Sequence, residues 1–355
     1  MPLWASLTPI AAAVLLIAAL LLPGSLLLAA ACLAALLGAV IAAVHHAEVI
    51  AHRLGEPFGA LVLAISITTI EVALIVTLML TGGPDQATLP RDTIFSAIMI
   101  ICNGVIGLCL LIGALHHREQ AFTVLGNTAA LATLLALTTL SLVLPSFTTS
   151  SAGATYTNAQ LTFAALSSLL LWGTFVFVQT VRHRDYFLPL ENPGDEQAHA
   201  PPPSAALAWA SFGLLLVALT AVVGLAKLLS PSIEAAVAAA GAPRTVISVA
   251  IALLVLLPET TAALRAARAN RLQSSLNLAL GSALASIGLT IPTVSVLSIY
   301  MQTRLVLGID TKSTVLLMLS LFITAIALRT GRTILMHGVV LLVIFVVYLF
   351  TTVVP

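Results

Sequence analysis

Long apolar runs alternate with short polar breaks from one end of the chain to the other. Marking the breaks at Pro, Gly and charged clusters leaves apolar segments near residues 8–22, 25–44, 58–81, 93–115, 121–144, 158–181, 206–229, 244–264, 273–300, 312–329 and 333–353. A helix needs roughly 20 apolar residues to cross ~30 Å of hydrocarbon. The pattern therefore predicts an all-α polytopic membrane protein with eleven transmembrane helices. Only Pro23-Gly24-Ser25 parts the first two runs, which suits a tight hairpin; one long broken segment is the other reading. The stretch HRDYFLPLENPGDEQAHAPPPS, residues 183–204, is long and polar and reads as a linker near the middle of the chain.

Composition agrees. Of 355 residues, 60% are hydrophobic and 8% charged, where a soluble domain carries about 25% charged residues. Mean hydropathy is +1.14. A formal net charge of +1 gives no reason to expect nucleic acid or an acidic partner, so the lipid bilayer is the partner the composition demands. Cys32, Cys102 and Cys109 lie inside apolar runs without CxxC spacing and read as small core residues. Residues 1–8 carry no basic side chain ahead of the first run, so no cleavable signal peptide is expected.

Cytoplasmic loops retain Lys and Arg. With the N-terminus and every second loop on one side, that side holds Arg53, Arg118, Arg182, Arg184, Arg265, Arg268, Arg271, Arg329 and Arg332. The other holds Arg91, Lys227, Arg244, Arg304 and Lys312. Nine against five puts the N-terminus and the linker in the cytoplasm, and eleven spans then put the C-terminus outside.

Acids deep inside apolar runs break the pattern. Glu71 sits in ISITTIEVALIVTLML, residues 65–80, with no basic residue beside it. A repeat gives it a counterpart. EVIAHRLGEP, residues 48–57, and EAAVAAAGAP, residues 234–243, both follow E-x6-G-x-P. Each closes one run and opens another that carries an acid, Glu71 lying 14 residues after Pro57 and Glu259 lying 16 after Pro243. Five spans separate corresponding elements, an odd number, so the second copy enters the membrane from the opposite face. Inverted repeats of this kind recur among secondary transporters, with binding near the midplane. The expected organisation is an extra transmembrane helix over 1–24, a first five-helix repeat over 25–181, a cytoplasmic polar linker over 182–205 and a second five-helix repeat over 206–355. At ~1.5 Å per residue, Glu71 lies about 21 Å and Glu259 about 24 Å past those prolines, both well inside the bilayer.

A charge at the centre of a membrane helix costs roughly 2.5–3.5 kcal/mol on insertion scales and by default marks an ion path or proton relay. A carboxyl withdrawn from water beside a second acid can hold a proton at neutral pH. A hard cation such as calcium takes carboxylate oxygens as ligands. Proton and cation then become mutually exclusive occupants, and with alternating access that suffices for exchange. The surroundings offer further oxygens. Thr68 shares a helical face with Glu71, with Ser66 and Thr69 close by. Pro258 should kink the eighth span and free backbone carbonyls. The ninth span, QSSLNLALGSALASIGLTIP, residues 273–292, sets Asn277, Gly281 and Ala285 four residues apart beside Ser282 and Ser286. The fourth carries Asn103 next to Gly104. Generic helix packing and structural hydrogen bonding are the plain alternatives for the small residues and the two asparagines.

These residues resemble the calcium/proton exchanger (CAX) family of the cation/calcium exchanger superfamily, and within it the bacterial ChaA-type sodium-calcium/proton antiporters. EVIAHRLGEPFGALVLAISITTIEVALI is similar to the family's first repeat, which opens on a TEELAERLG-like stretch and reaches a GNAxE motif. PETTAALRAARANRLQSSLNLALGSALASIGL resembles the second, GNAAEH followed by a polar loop and GSS. CNGVIGLCLLIGALHHREQAFT resembles GN-x-L-x-x-x-G-G-x-x-x-x-EQ-x-F, with Glu119, Gln120 and Phe122 fitting its EQ-x-F end. With SIEAAVAAAGAP, these stretches cover most of residues 45–145 and 230–295.

The resemblance implies an eleven-span antiporter of a bacterial inner membrane that needs no cofactor and carries calcium, sodium or potassium ions and protons as cargo. Its cation-binding glutamates map onto Glu71 and Glu259, to which the reading of the residues adds Thr68, Asn103, Asn277 and Ser282 as candidate supporting oxygens. Its gating acids map onto Glu48 and Glu234. Three departures stand out. Ile67-Thr68 and Val255-Leu256 replace the motif's Gly-Asn, Thr260 replaces the His after the second glutamate, and Ala285 replaces the Gln of GSSIQ. Fewer amide oxygens leave sodium and potassium open beside calcium. Self-association as a homo-oligomer stays open as well.

Two other classes are weighed against exchange. A membrane-embedded hydrolase needs a nucleophile and base or a metal set at matched depth, and the sequence holds no HExxH and no GxSxG. A cation channel can use a ring of carboxylates but does not require an inverted duplication. His45 and His46 beside Glu48, with His52 a turn on, read as interfacial side chains reaching water, or else as a pH sensor or a transition-metal cluster.

Overall fold

The computed structural model describes residues 1–21, 26–55, 58–81, 87–188, 202–239, 241, 243 and 245–354. Among these the chain is helical. It forms α1 (Leu3–Leu21), α2 (Leu26–Leu54), α3 (Phe58–Thr81), α4 (Leu89–Met99), α5 (Ile106–His117), α6 (Val124–Thr138), α7 (Asn158–Phe177), α8 (Ala205–Ala239), α9 (Thr245–Arg268), α10 (Leu272–Met301), α11 (Thr311–Arg329) and α12 (Leu335–Val353). A π turn, Ile100–Val105, joins α4 and α5 into the single span Leu89–His117. Ten continuous helices are long and apolar enough to cross a membrane, and α9, bent by 50° between Leu257 and Glu259, is the eleventh. The all-α, eleven-span class expected from hydropathy is the class observed. The bend falls between Leu257 and Glu259, at the proline whose missing N–H led the sequence to predict a kink there. The Pro23-Gly24-Ser25 hairpin and most of the linker lie outside the described residues.

Two helices outrun their hydropathy. The apolar run ending at residue 44 continues as helix to Leu54, and the one ending at 229 continues to Ala239. Polar residues end a run without ending a helix, which needs a backbone signal. Glycine supplies it in both cases. Gly55 has φ 70° and Gly241 φ 65°, the left-handed conformation that terminates helices and that glycine adopts without strain. The Gly55 amide donates back to Ala51 O at 3.0 Å. The glycines of the two E-x6-G-x-P stretches, Gly55 and Gly241, thus both take left-handed backbone past the described ends of α2 and α8. By helix rise α2 is ~43 Å and α8 ~52 Å long, more than a hydrocarbon core needs.

The chain forms two compact units. The first comprises Met1–Thr81 with Asn192–Ile247. Within it α2 lies along α8, and α1 and α3 each pack against both. Leu36, Val40, Ala43, Ala218, Val222 and Leu225 are buried there.

The second unit comprises Gly82–Glu191 with Ser248–Pro355. Here α7 packs on α10, α5 on α12, and α10 also touches α4 and α6. Small residues permit the closest approaches. A Cβ on Gly288 would lie 2.6 Å from Trp172 Cβ, and one on Gly338 would lie 2.7 Å from the Leu111 backbone nitrogen.

Both ends of this unit are tied by hydrogen bonds. At one end Gln120, Thr123, Phe187, Asn270 and Thr333 link the connections after α5, α7, α9 and α11. At the other, Val306 N donates to Ala87 O at 3.0 Å, Gly308 N to Ala154 O at 3.0 Å and Ile309 N to Leu142 O at 2.9 Å. The grouping of loops matches the one used to count charges. Arg118, Arg268 and Arg332 belong to the first end, Arg91 and Arg304 to the second. Tyr156, in the connection before α7, donates its hydroxyl to Leu140 O at 2.6 Å. Burial pushes its phenol up to about 12, so this tie stays protonated at working pH.

Candidate functional site

In the first unit the chemistry lies on α3. Glu71 is the fourteenth of its 24 residues and 3% exposed. It sits among buried Ile67, Ile70, Leu74 and Ile75. Of the hydroxyls before it, Ser66 donates to Val62 O at 2.8 Å and Thr69 to Ile65 O at 2.7 Å, each within its own helix. Thr68 is buried one turn before Glu71, on the same face. Glu48 is half-buried near the end of α2. Glu234 lies on α8 at the matching place, with its side chain outside the described ones.

In the second unit Glu259 is the first residue past the bend, and it is 4% exposed. Pro258 carries no backbone N–H to donate to Leu254 O. Thr260 bridges the bend from its far side, its hydroxyl donating to Leu256 O at 2.7 Å. From α10, Ser282 Oγ donates to Glu259 Oε2. Nothing lies within 4 Å of a Cβ built on Gly281, so open space adjoins this serine. A hydroxyl donor orients a carboxylate and stabilises its charge. Ser282→Ala is expected to weaken cation dependence about tenfold, the size of one hydrogen bond to a charged group. Titrating proton release against cation concentration in membrane vesicles checks it.

The two asparagines have other partners. Asn103 is fully buried on the π turn, a feature frequent at functional sites. Its Nδ2 donates to Ser320 Oγ at 2.9 Å and Met99 O at 3.2 Å, while Oδ1 lacks a hydrogen-bond partner among the described residues. Asn277 accepts from Gln273 Nε2 at 2.8 Å and donates to Phe187 O, which ties the start of α10 to the segment after α7. Of the predicted site residues in the second unit, the structure brings Glu259 and Ser282 together and leaves Asn103 and Asn277 in separate networks. Sequence reading missed Ser320, because a single serine in α11 carries no signal until its partner is known. It missed the π turn because hydropathy does not register an extra residue per turn.

The histidine reading needs correction. His45 and His46 lie inside α2, not beyond its end. His46 is fully buried, with Nε2 2.9 Å from Ala5 O on α1, and the His45 ring is 5.2 Å from Trp4. Packing against the start of α1, rather than reaching water, holds His46. Among the described residues no three His, Cys, Asp or Glu side chains converge as metal ligands, which removes the transition-metal cluster as well.

Helices long and apolar enough to span a membrane, one of them bent, define a polytopic membrane protein. The sodium/calcium exchanger protein family profile matches residues 24–181 and 210–354, and the chain belongs to that family. It is 46% identical over 363 residues to y4hA of Sinorhizobium fredii, described as an ionic transporter, covering 100% of this chain and 97% of that protein. It is 34% identical over 319 residues to the sodium-potassium/proton antiporter ChaA of Escherichia coli K12, covering 89% of this chain and 86% of that one. Among solved structures, native YfkE matches with TM-score 0.71 at 16% identity, covering 98% of this chain and 99% of its own. The H+/Ca2+ exchanger CAX matches with TM-score 0.71 at 15% identity, covering 98% and 87%. The last two likenesses establish the fold. Family and fold together make the protein a multi-pass membrane cation antiporter, with inorganic cations as substrates.

Proposed function

We propose that the protein exchanges protons for calcium, sodium or potassium ions across a bacterial inner membrane, exporting the cation, with Glu71 and Glu259 as the exchangeable carboxylates. The observation that carries this is the burial of both acids at the middle of membrane helices, where a carboxylate is costly unless a proton or a cation neutralises it. The 34% identical relative is named for sodium, potassium and protons. Thr68 and Leu256 in place of the motif's asparagines, and Ala285 in place of its glutamine, favour the same breadth of ions over strict calcium selectivity. Glu71 and Glu259 occupy corresponding places in an inverted pair of five-helix repeats, 25–181 and 206–355, after an extra helix over 1–24. Thr68 and Ser282 supply supporting oxygens, and Glu48 and Glu234 guard the ends of the two long helices. The N-terminus is cytoplasmic and the C-terminus external, following the arginine count.

The test is direct. In everted vesicles holding a respiration-driven proton gradient, calcium, sodium and potassium are added separately. Each transported ion should collapse the proton gradient. In proteoliposomes an outward proton gradient should drive cation uptake with no imposed potential. Uptake that follows membrane potential and moves no protons would establish a carboxylate-lined channel instead.

A further inference from the structure

The bend at Pro258 leaves Glu259 at the start of a short helical arm, Glu259–Arg268, within the second unit. An arm hinged at one end is placed by whatever holds its other end. The last carbonyls of any helix lack intrahelical partners; the backbone amides of Ala269, Arg271 and Asn270 take up those of Arg265, Ala266 and Ala267, and side chains from outside α9 add a second bond at Ala267 and a contact at Arg268. Gln120 Nε2 donates to Ala267 O at 2.7 Å and to Asn270 Oδ1 at 3.1 Å. His117 Nε2 lies 2.7 Å from Arg268 O.

Gln120 reaches the arm from a fixed base. Its backbone N donates to Thr333 Oγ1 at 2.8 Å, and Thr333 N donates to its carbonyl at 3.0 Å. The next residue, Ala121, forms an antiparallel bridge with Arg332. The connections after α5 and α11 thus make a small backbone clamp, and the glutamine side chain runs from this clamp to the end of α9. Chemistry sets its amide orientation. Both neighbours are acceptors, so the NH2 group must face them. Oε1 is then turned toward α5, where it occupies the space beside Gly113. A Cβ on Gly113 would lie 1.9 Å from it. Oε1 has no hydrogen-bond partner among the described residues. An unsatisfied buried acceptor is a cost, borne here for the two bonds made by the nitrogen.

We infer that Gln120 is a positioning residue for Glu259. It holds the far end of the arm, about 12 Å along the helix from the carboxylate, and so fixes the geometry in which Glu259 meets Ser282. The inference rests on Glu259 being an exchangeable carboxylate.

The test measures cation-dependent proton movement in vesicles for wild type, Gln120→Ala, Gly113→Ala and the double variant, across pH and cation concentration. Gln120→Ala should raise the half-saturating cation concentration about tenfold, as expected for two neutral hydrogen bonds. It should also shift the pH profile while leaving the saturated rate near wild type. Gly113→Ala should do the same by displacing the amide. The double variant should be no worse than Gln120→Ala, because both changes remove one tether. Amide hydrogen exchange over residues 260–268 should accelerate in all three. Unchanged affinity and pH profile in Gln120→Ala, additive losses in the double variant, or a fall in saturated rate alone would each overturn the inference. Wild-type behaviour of Gln120→Ala alongside an inactive Glu259→Gln removes this inference only. An active Glu259→Gln removes Glu259 from the exchange mechanism on which this inference rests.

Discussion

Glu71→Gln and Glu259→Gln are each expected to abolish cation-dependent proton movement in everted vesicles, while the protein still inserts and purifies at wild-type yield. Glutamine keeps the volume and one carbonyl oxygen of glutamate but holds no negative charge and binds no exchangeable proton at neutral pH. Both legs of the cycle fail together, since the cation loses its counter-charge and the proton its base. Folding should survive, because a neutral amide is easier to bury than a carboxylate. At Glu259 the Ser282 hydroxyl can still donate to the amide oxygen. Full exchange by both variants would remove the mechanism. Asp at either place retains charge one methylene short, and it should leave measurable exchange at reduced affinity.

Gly338→Val should prevent stable folding. Where α12 crosses α5, a Cβ on Gly338 would come within 2.7 Å of Leu111 N and 2.9 Å of Gly107 O, both backbone atoms. A side-chain neighbour can rotate away, but backbone cannot move without displacing the helix. Overpacking of this kind costs about 1–3 kcal/mol or more, a large share of the 5–15 kcal/mol that holds a typical protein folded. The variant should aggregate or run as a broad peak on size exclusion in mild detergent. Gly281→Ala, which meets open space, should purify normally. Equal behaviour of the two would mean that close crossing at Gly338 does not matter.

Much of this architecture was legible because lipid imposes a simple rule. Backbone polar groups must be satisfied within each span, so a run of apolar residues near 20 long translates into one helix, and all eleven runs did. Pro258 announced its bend for the same reason. Helix ends were less legible. Hydropathy stops at residue 44 in α2, whereas the helix stops at Gly55, because chain direction is decided by backbone conformation and not by polarity. At the site, Glu71 and Glu259 stood out as charges where charges are costly. Ser282 was found from its place beside a small-residue seam. Which oxygen each asparagine faces depends on side-chain geometry across helices, which no spacing along the chain encodes. Asn103 with Ser320 and Asn277 with Phe187 were therefore invisible until the helices were assembled. Gln120 sat in a quoted motif, and its hold on α9 became apparent only when three distant connections met.

The matched stops of α2 and α8 bear on how such a molecule records its ancestry. A lipid-bathed helix tolerates exchange among Leu, Val, Ile and Ala almost anywhere, so kinship between two spans erodes quickly. A position held at positive φ admits few residues besides glycine. Family likeness in proteins of this kind should be sought in their punctuation, at turns of two or three residues, long after the words between them have been rewritten.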